Sequence, residues 1–428
     1  MLTPRTWLAA ALLVVFSSTL YLKLALDFEQ LKVSAQYDVL FDSDPNTRIA
    51  CYATGWGSGR SFAHPNLCNL VNPPVRIVAA ALIKSGMVDN DVDHVRRQVA
   101  LVVAPVTGGL TVGLLFATLL LLGVKPMPAC MLAALYAVSF SQLIFASIPD
   151  HPALGALSIA LPVWLLVASI TRHPQRPLFW VVAGVLAFSI TITNFLIFLF
   201  LLALALLHTG GYRQALRQGL KVAALALAAA LLVKLPLDLR YGGSTDIGTV
   251  SGFAQDWLRE EGIRAALSYP RVLVESIAAP EPIIMDNPRF APDGSGYPFL
   301  LWLEGGRYNN VFSLAAALLL SALMLGGLAR GLATALDIPA ERTLFVAIAG
   351  LLLFNGFFHG VWGSQYFLYS QHWLFASCIL IAFPLRQPGL AAKAAAVGAF
   401  ATVILTAAGN YQILSFIFAL LESSRVTV

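Results

Sequence analysis

The chain has 428 residues, of which 58% are hydrophobic and only 11% charged, with a mean hydropathy of +0.77 and a formal net charge of +5. No water-facing surface can hide that much apolar material, so a soluble globular protein is excluded and lipid is the solvent for most of the chain. Lys and Arg sit mainly in short segments between apolar runs, a pattern that orients membrane proteins and argues against nucleic acid as a partner.

A hydrocarbon core takes about 20 apolar residues per helical crossing. Solid apolar runs without alternation exclude a β-barrel, and open sheet edges would leave backbone groups unpaired in lipid. The expected fold is therefore all-α, a polytopic transmembrane helix bundle of about 11 spans forming a single transmembrane domain over residues 1–428. With Arg5 on the cytoplasmic side, the first span covers residues 7–26 and is retained, since no small-residue cleavage site precedes Asp27. It delivers a first extracytoplasmic loop, 27–97, in which residues 79–84 are apolar but too short to cross and read as an interfacial or re-entrant helix. Cys51 and Cys68 share this loop, and a disulfide between them requires an oxidising compartment; Cys130 and Cys378 fall in apolar runs.

Spans follow at 98–122 and 130–148, then a tight turn Pro149-Asp150-His151-Pro152, then a span returning to Arg172. The run 178–207 is too long for one upright crossing at ~1.5 Å per residue. Two crossings that turn near Thr193 and Asn194 keep the basic segment Arg213, Arg217 and Lys221 inside. After a span at 220–236 comes the larger extracytoplasmic loop, 237–310, with six arginines against ten carboxylates and room for helices of its own, for instance around 254–267. Spans at 311–328, 344–358, 367–383 and 390–409 complete the bundle, and the tail from Tyr411 reads as an interfacial segment.

The longer loops all emerge on one face and hold the residues able to do chemistry. Asp42 and Asp44, two apart beside Pro45-Asn46, can bind a divalent cation or supply a general base; the alternative is a pair of solvated aspartates capping a turn. Asp150 and His151 stand between two apolar runs, at or just below the membrane surface, where ionisable groups are costly; the alternative is that Asp150 merely caps the following helix. A third cluster includes His359, Trp362, Tyr366, Tyr369 and His372, which could serve as an interfacial aromatic belt or as contacts for a lipid-linked phosphate.

Taken together, the long first loop with Asp44, the downstream His64-Pro65, the short second loop and the late Tyr369-Ser370-Gln371-His372-Trp373 resemble the C-type (GT-C) integral membrane glycosyltransferases. The likeness is to bacterial relatives of protein mannosyltransferases and aminoarabinose transferases, and it spans most of the chain. It implies a multi-pass protein of the bacterial cytoplasmic (inner) membrane that passes a sugar from a polyprenyl-phosphate donor to a lipid, glycan or protein acceptor on the periplasmic face. In that reading Asp44 is the general base, Asp42 its neighbour and Asp150 the second-loop acid, with Asp44 and Asp150 as ligands for a divalent cation such as Mg or Mn. The substrate-binding set is His64, Arg60, Arg76, His151, Asn194, Tyr369 and His372, with Arg60, Arg76 or Arg307 steadying the leaving phosphate. A single acid followed by His151, where metal-dependent members often carry an acidic pair, departs from the pattern. Lacking the large soluble C-terminal domain of some relatives, the chain would recognise its acceptor through the 237–310 loop.

The rival reading from another class is a transporter or flippase for a lipid-linked or small polar solute. Such proteins place ionisable groups near the bilayer midplane, whereas here they gather in loops. A non-catalytic assembly factor would use the same loops as binding surfaces.

Overall fold

The structure, a computed structural model, describes residues 4–36, 38–55, 63–88, 90–172, 174–241, 263–288, 296–362 and 366–424, with the backbone alone at 236–241 and 263–266. In chain order the helices are α1 (Pro4–Gln30), α2 (Pro45–Thr54), α3 (Leu67–Lys84), α4 (Val92–Leu121), α5 (Pro126–Val138), α6 (Phe140–Phe145), α7 (Pro152–Thr171), α8 (Pro177–Ile190), α9 (Ile192–Thr209) and α10 (Tyr212–Tyr241). There follow α11 (Ile263–Glu275), the strands β1 (Glu281–Asp286) and β2 (Phe299–Arg307), then α12 (Val311–Asp337), α13 (Pro339–Val361), α14 (Gln371–Ala382) and α15 (Leu390–Ser423). Helices α2, α5, α7, α8 and α13 all begin with proline, whose fixed φ suits the first helical position and whose missing N–H is not needed there.

Nine of the described helices are long and apolar enough to cross a membrane, so the chain is a multi-pass helical membrane protein. Every predicted span contains a helix, although α5, α8 and α14 are short. The run 178–207 does divide, at Thr191, which is extended between α8 and α9. Three expectations are corrected. The protein is not purely helical, because β1 and β2 form an antiparallel hairpin within the larger loop. Residues 79–84 are the end of α3, which buries Leu67, Val71, Val75 and Ala79 along one helical face. The tail is no separate segment, because α15 runs on to Ser423 and buries Ile413, Leu414, Ile417 and Leu421. Of the helix expected around 254–267, residues 254–262 lie outside the described ones, and α11 starts at Ile263.

Close helix approach depends on residues without side chains. A Cβ on Gly109 of α4 would lie 2.7 Å from the Val14 carbonyl oxygen of α1, and one on Gly327 of α12 would lie 2.2 Å from the Leu380 carbonyl oxygen of α14. At one end of the bundle α1 finishes and α4 begins, with Arg97 of α4 3.6 Å from Glu29 of α1. Phe28 of α1 stacks on Phe418 of α15 there at 4.8 Å. Helices α2 and α3 lie between those two points of the chain and are clipped together by the Cys51–Cys68 disulfide. The hairpin joins them: Leu301 N–H donates to the Val39 carbonyl (2.9 Å), Phe41 N–H donates to the Leu301 carbonyl (3.1 Å), and the Tyr297 hydroxyl donates to the Leu31 carbonyl (2.7 Å). The described parts of both long loops thus form one cap over this end. Gly109→Ala should push α1 from α4 and cost about 1–3 kcal/mol, read as a lower Tm of the purified protein in detergent.

Candidate active site

The chain enters the site through a tight turn. Phe41 and Asp42 have φ of 55° and 61°, in the left-handed region that non-glycine residues seldom occupy, and such positions cost about 1–3 kcal/mol each when surrounding structure holds them. Here the hold is visible: Asp38 N–H donates to the Ser43 carbonyl (3.0 Å), the Ser43 hydroxyl donates to the Leu40 carbonyl (2.7 Å), and Phe41 packs on Phe140 and Phe367. The turn delivers half-buried Asp44 to the position before Pro45, at the start of α2.

Asp150 meets it from the turn between α6 and α7. One carboxylate oxygen accepts the Asp44 N–H at 3.2 Å; the other accepts Arg48 Nε at 3.3 Å, His151 N–H at 2.6 Å and His151 Nδ1 at 2.8 Å. Asp150 and Arg48 are only 2% and 7% exposed, so each needs the other to offset lost hydration. Burial alone would raise the Asp150 carboxyl, but His151 and Arg48 outweigh it and hold the group well below the usual carboxylate range. Asp150 therefore does not cap α7, as its place before Pro152 had allowed; it binds the first loop to the second turn.

His64 completes this side. Its ring lies 4.1 Å from that of His151, and its Nδ1–H donates to the Ile190 carbonyl at 2.7 Å, just before the α8–α9 break. Burial, then the neighbouring His151 and Arg48, push this imidazole well below its ordinary value. Asn66 anchors the segment through its amide, which donates to Ser189 Oγ (3.2 Å) and the Ala230 carbonyl (2.8 Å).

Deeper in the bundle, the break at Thr191 sets Asn194 in the first turn of α9, where its amide N–H group donates to the Gly155 carbonyl (3.3 Å) and Ser158 Oγ (2.9 Å). His372 faces the same spot: a Cβ on Gly155 would lie 3.0 Å from His372 Nε2 and 3.6 Å from the Asn194 amide nitrogen. His359 stacks on Tyr369 at 4.0 Å and on His372 at 5.4 Å, all three rings nearly parallel.

The fold thus gathers Asp42, Asp44, Asp150, His64, His151, Asn194, Tyr369 and His372 from four separate stretches of sequence. It does not bring Arg76, which is exposed on α3, or Arg307, exposed on β2; Arg60 lies outside the described residues. Among the described residues the cation in the site is instead Arg48, legible in hindsight because it follows Asp44 by four residues and so shares its face of α2. The two residues expected to hold Mg or Mn, Asp44 and Asp150, do adjoin, the Asp44 N–H donating to Asp150 at 3.2 Å. Among the described residues no group of three His, Cys, Asp or Glu is placed to hold a metal ion, and the Asp150 charge is already met by Arg48. No protein-family model matches the chain, and no curated protein matches it.

Arg48→Met should strand the buried carboxylate and destabilise the protein by about 3 kcal/mol, with Arg48→Met/Asp150→Asn recovering much of the loss in thermal unfolding. His64 gives a pH signature. Its folded-state value lies below the ordinary 6.5, so the unfolded chain takes up a proton that the folded one refuses, and stability is full above that pH and falls as pH drops beneath it. The Tm lost between pH 7.5 and 5.5 should be smaller in His64→Gln than in the parent protein.

Proposed function

We propose that the chain is a membrane glycosyltransferase that moves a sugar from a polyprenyl-phosphate donor to an acceptor hydroxyl on the extracytoplasmic face. The observation that carries this reading is the meeting of Asp44 and Asp150, from two different loops, at one end of an apolar bundle. A lipid-linked sugar needs that layout: a bundle for the chain to lie against and, at its end, a site where water-soluble chemistry proceeds.

Asp44 takes the acceptor proton, and the acceptor oxygen attacks the anomeric carbon as its bond to the phosphate oxygen breaks. Asp150, tied to Arg48, is too strongly held as an anion to serve as base and positions Asp44 through its backbone N–H. The Cys51–Cys68 disulfide favours an oxidising compartment for this end, hence a cytoplasmic N-terminus before α1. Resemblance in the loop motifs points to the bacterial inner membrane. Arg48 meets the charge of Asp150, and the proposed step draws on no divalent cation.

Purified protein in nanodiscs, given polyprenyl-phosphate sugars and membrane extract as acceptor, should release polyprenyl phosphate with or without chelator. Asp44→Asn should lower that release by about a hundredfold or more while leaving expression and Tm near the parent values. Undiminished release would remove Asp44 from its role. Movement of intact donor across liposomes without any release would point to a flippase instead.

A further inference from the structure

Two side chains around the first turn of α7 present hydrogen-bonding atoms that no described residue uses. Asn194 is 1% exposed and spends its amide N–H group on Gly155 and Ser158, while its carbonyl oxygen is buried without a partner. His372 is 2% exposed, and both its ring nitrogens are buried without a partner among the described residues. These groups share Gly155, which hydrogen-bonds back to the His151 carbonyl (2.8 Å), receives the Asn194 amide and packs against His372 Nε2.

Buried polar atoms left unpaired cost roughly 1–3 kcal/mol each. Three in one place, beside a candidate active site, mark a binding surface more economically than three independent packing faults. The ligand chemistry follows from what is there. Asn194 Oδ1 accepts, and the two His372 ring nitrogens offer one donor and one acceptor, so the site asks for several O–H groups on one rigid ligand. Neither of these side chains is a carboxylate that could take an ammonium or a fixed cation that could take a carboxylate.

We propose that Asn194 and His372 form the sugar subsite of this enzyme and that it selects an uncharged, polyhydroxylated sugar over amino sugars and uronic acids. The assignment rests on the transferase reading above and names the substrate class of that site. One sugar hydroxyl donates to Asn194 Oδ1, and others pair with the His372 ring nitrogens. Gly155 is part of the specificity, since a methyl there would press on His372 Nε2.

The test uses the full-length protein in nanodiscs with polyprenyl phosphates carrying mannose or glucose, a 4-aminopentose, or a hexuronic acid, and reads polyprenyl phosphate release. The uncharged hexoses should turn over with the highest kcat/KM. Asn194→Ala and His372→Ala should raise KM for the preferred donor by about tenfold, with a smaller change in kcat, and His372→Gln should retain more affinity than His372→Ala. Monodeoxy donors supply the decisive readout. Removing the sugar hydroxyl that meets His372 or Asn194 should cost the parent protein about tenfold, yet cost the matching alanine variant almost nothing more. Gly155→Ala, which keeps every polar group, should reproduce the KM effect. Preference for the aminopentose or the uronic acid, or full additivity of side-chain and hydroxyl deletions, would overturn the subsite while leaving the transferase reading intact. Release from none of the donors would overturn both.

Discussion

The structure around the candidate site depends on one buried carboxylate. Asp150 sits at the end of an apolar bundle, where an unpaired charge would be too costly to keep, and its four hydrogen bonds come from the first loop and from its own neighbour in the turn. That requirement fixes where α2 starts, which way Arg48 points and that His151 Nδ1 turns toward the carboxylate. It adds to the polar ties of His64 and Asn66 that hold the first loop to the bundle.

Interrupted helices do the complementary work from inside. A continuous apolar helix satisfies its own backbone and offers nothing polar to a substrate, so polar groups within a bundle arise where helices break. The α5–α6 break frees Phe140 and Ser141 N–H groups, which are met by the Ile277 and Ser276 carbonyls (3.0 and 2.9 Å). The α8–α9 break at Thr191 offers the Ile190 carbonyl to His64 and sets Asn194 against Gly155. Small residues at the crossings let these broken segments sit close enough to share partners.

The cap over this end is assembled from parts that could not stand alone. Helices α2 and α3 are joined by the disulfide, while the β1–β2 hairpin borrows hydrogen bonds from residues 39–41 to anchor itself. Because Leu301 pairs on both sides of Leu40, the turn bearing Asp42 and Asp44 moves only if the hairpin moves. In the proposed reaction, that coupling would let acceptor contacts on the larger loop bear directly on the base.

Membrane residence, the succession of helices and the division of 178–207 were all readable from hydrophobic run length, because lipid imposes one rule on every backbone group and that rule is local. Asp44, Asp150 and His372 stood out for a related reason, as polar groups placed where burial is costly. The β-hairpin escaped notice because its strands, besides pairing with each other, are anchored through Leu301 to residues 39–41, more than two hundred positions away. Arg48 looked like one surface charge among several, and Arg76 looked equally suited to the site. Tertiary structure chose between them through the helical turn that sets Arg48 beside Asp44 and the packing that leaves Arg76 on the outer face of α3. Which carboxylate is anchored and which residues converge on Gly155 are matters of distance across the bundle, and only the folded chain sets those distances.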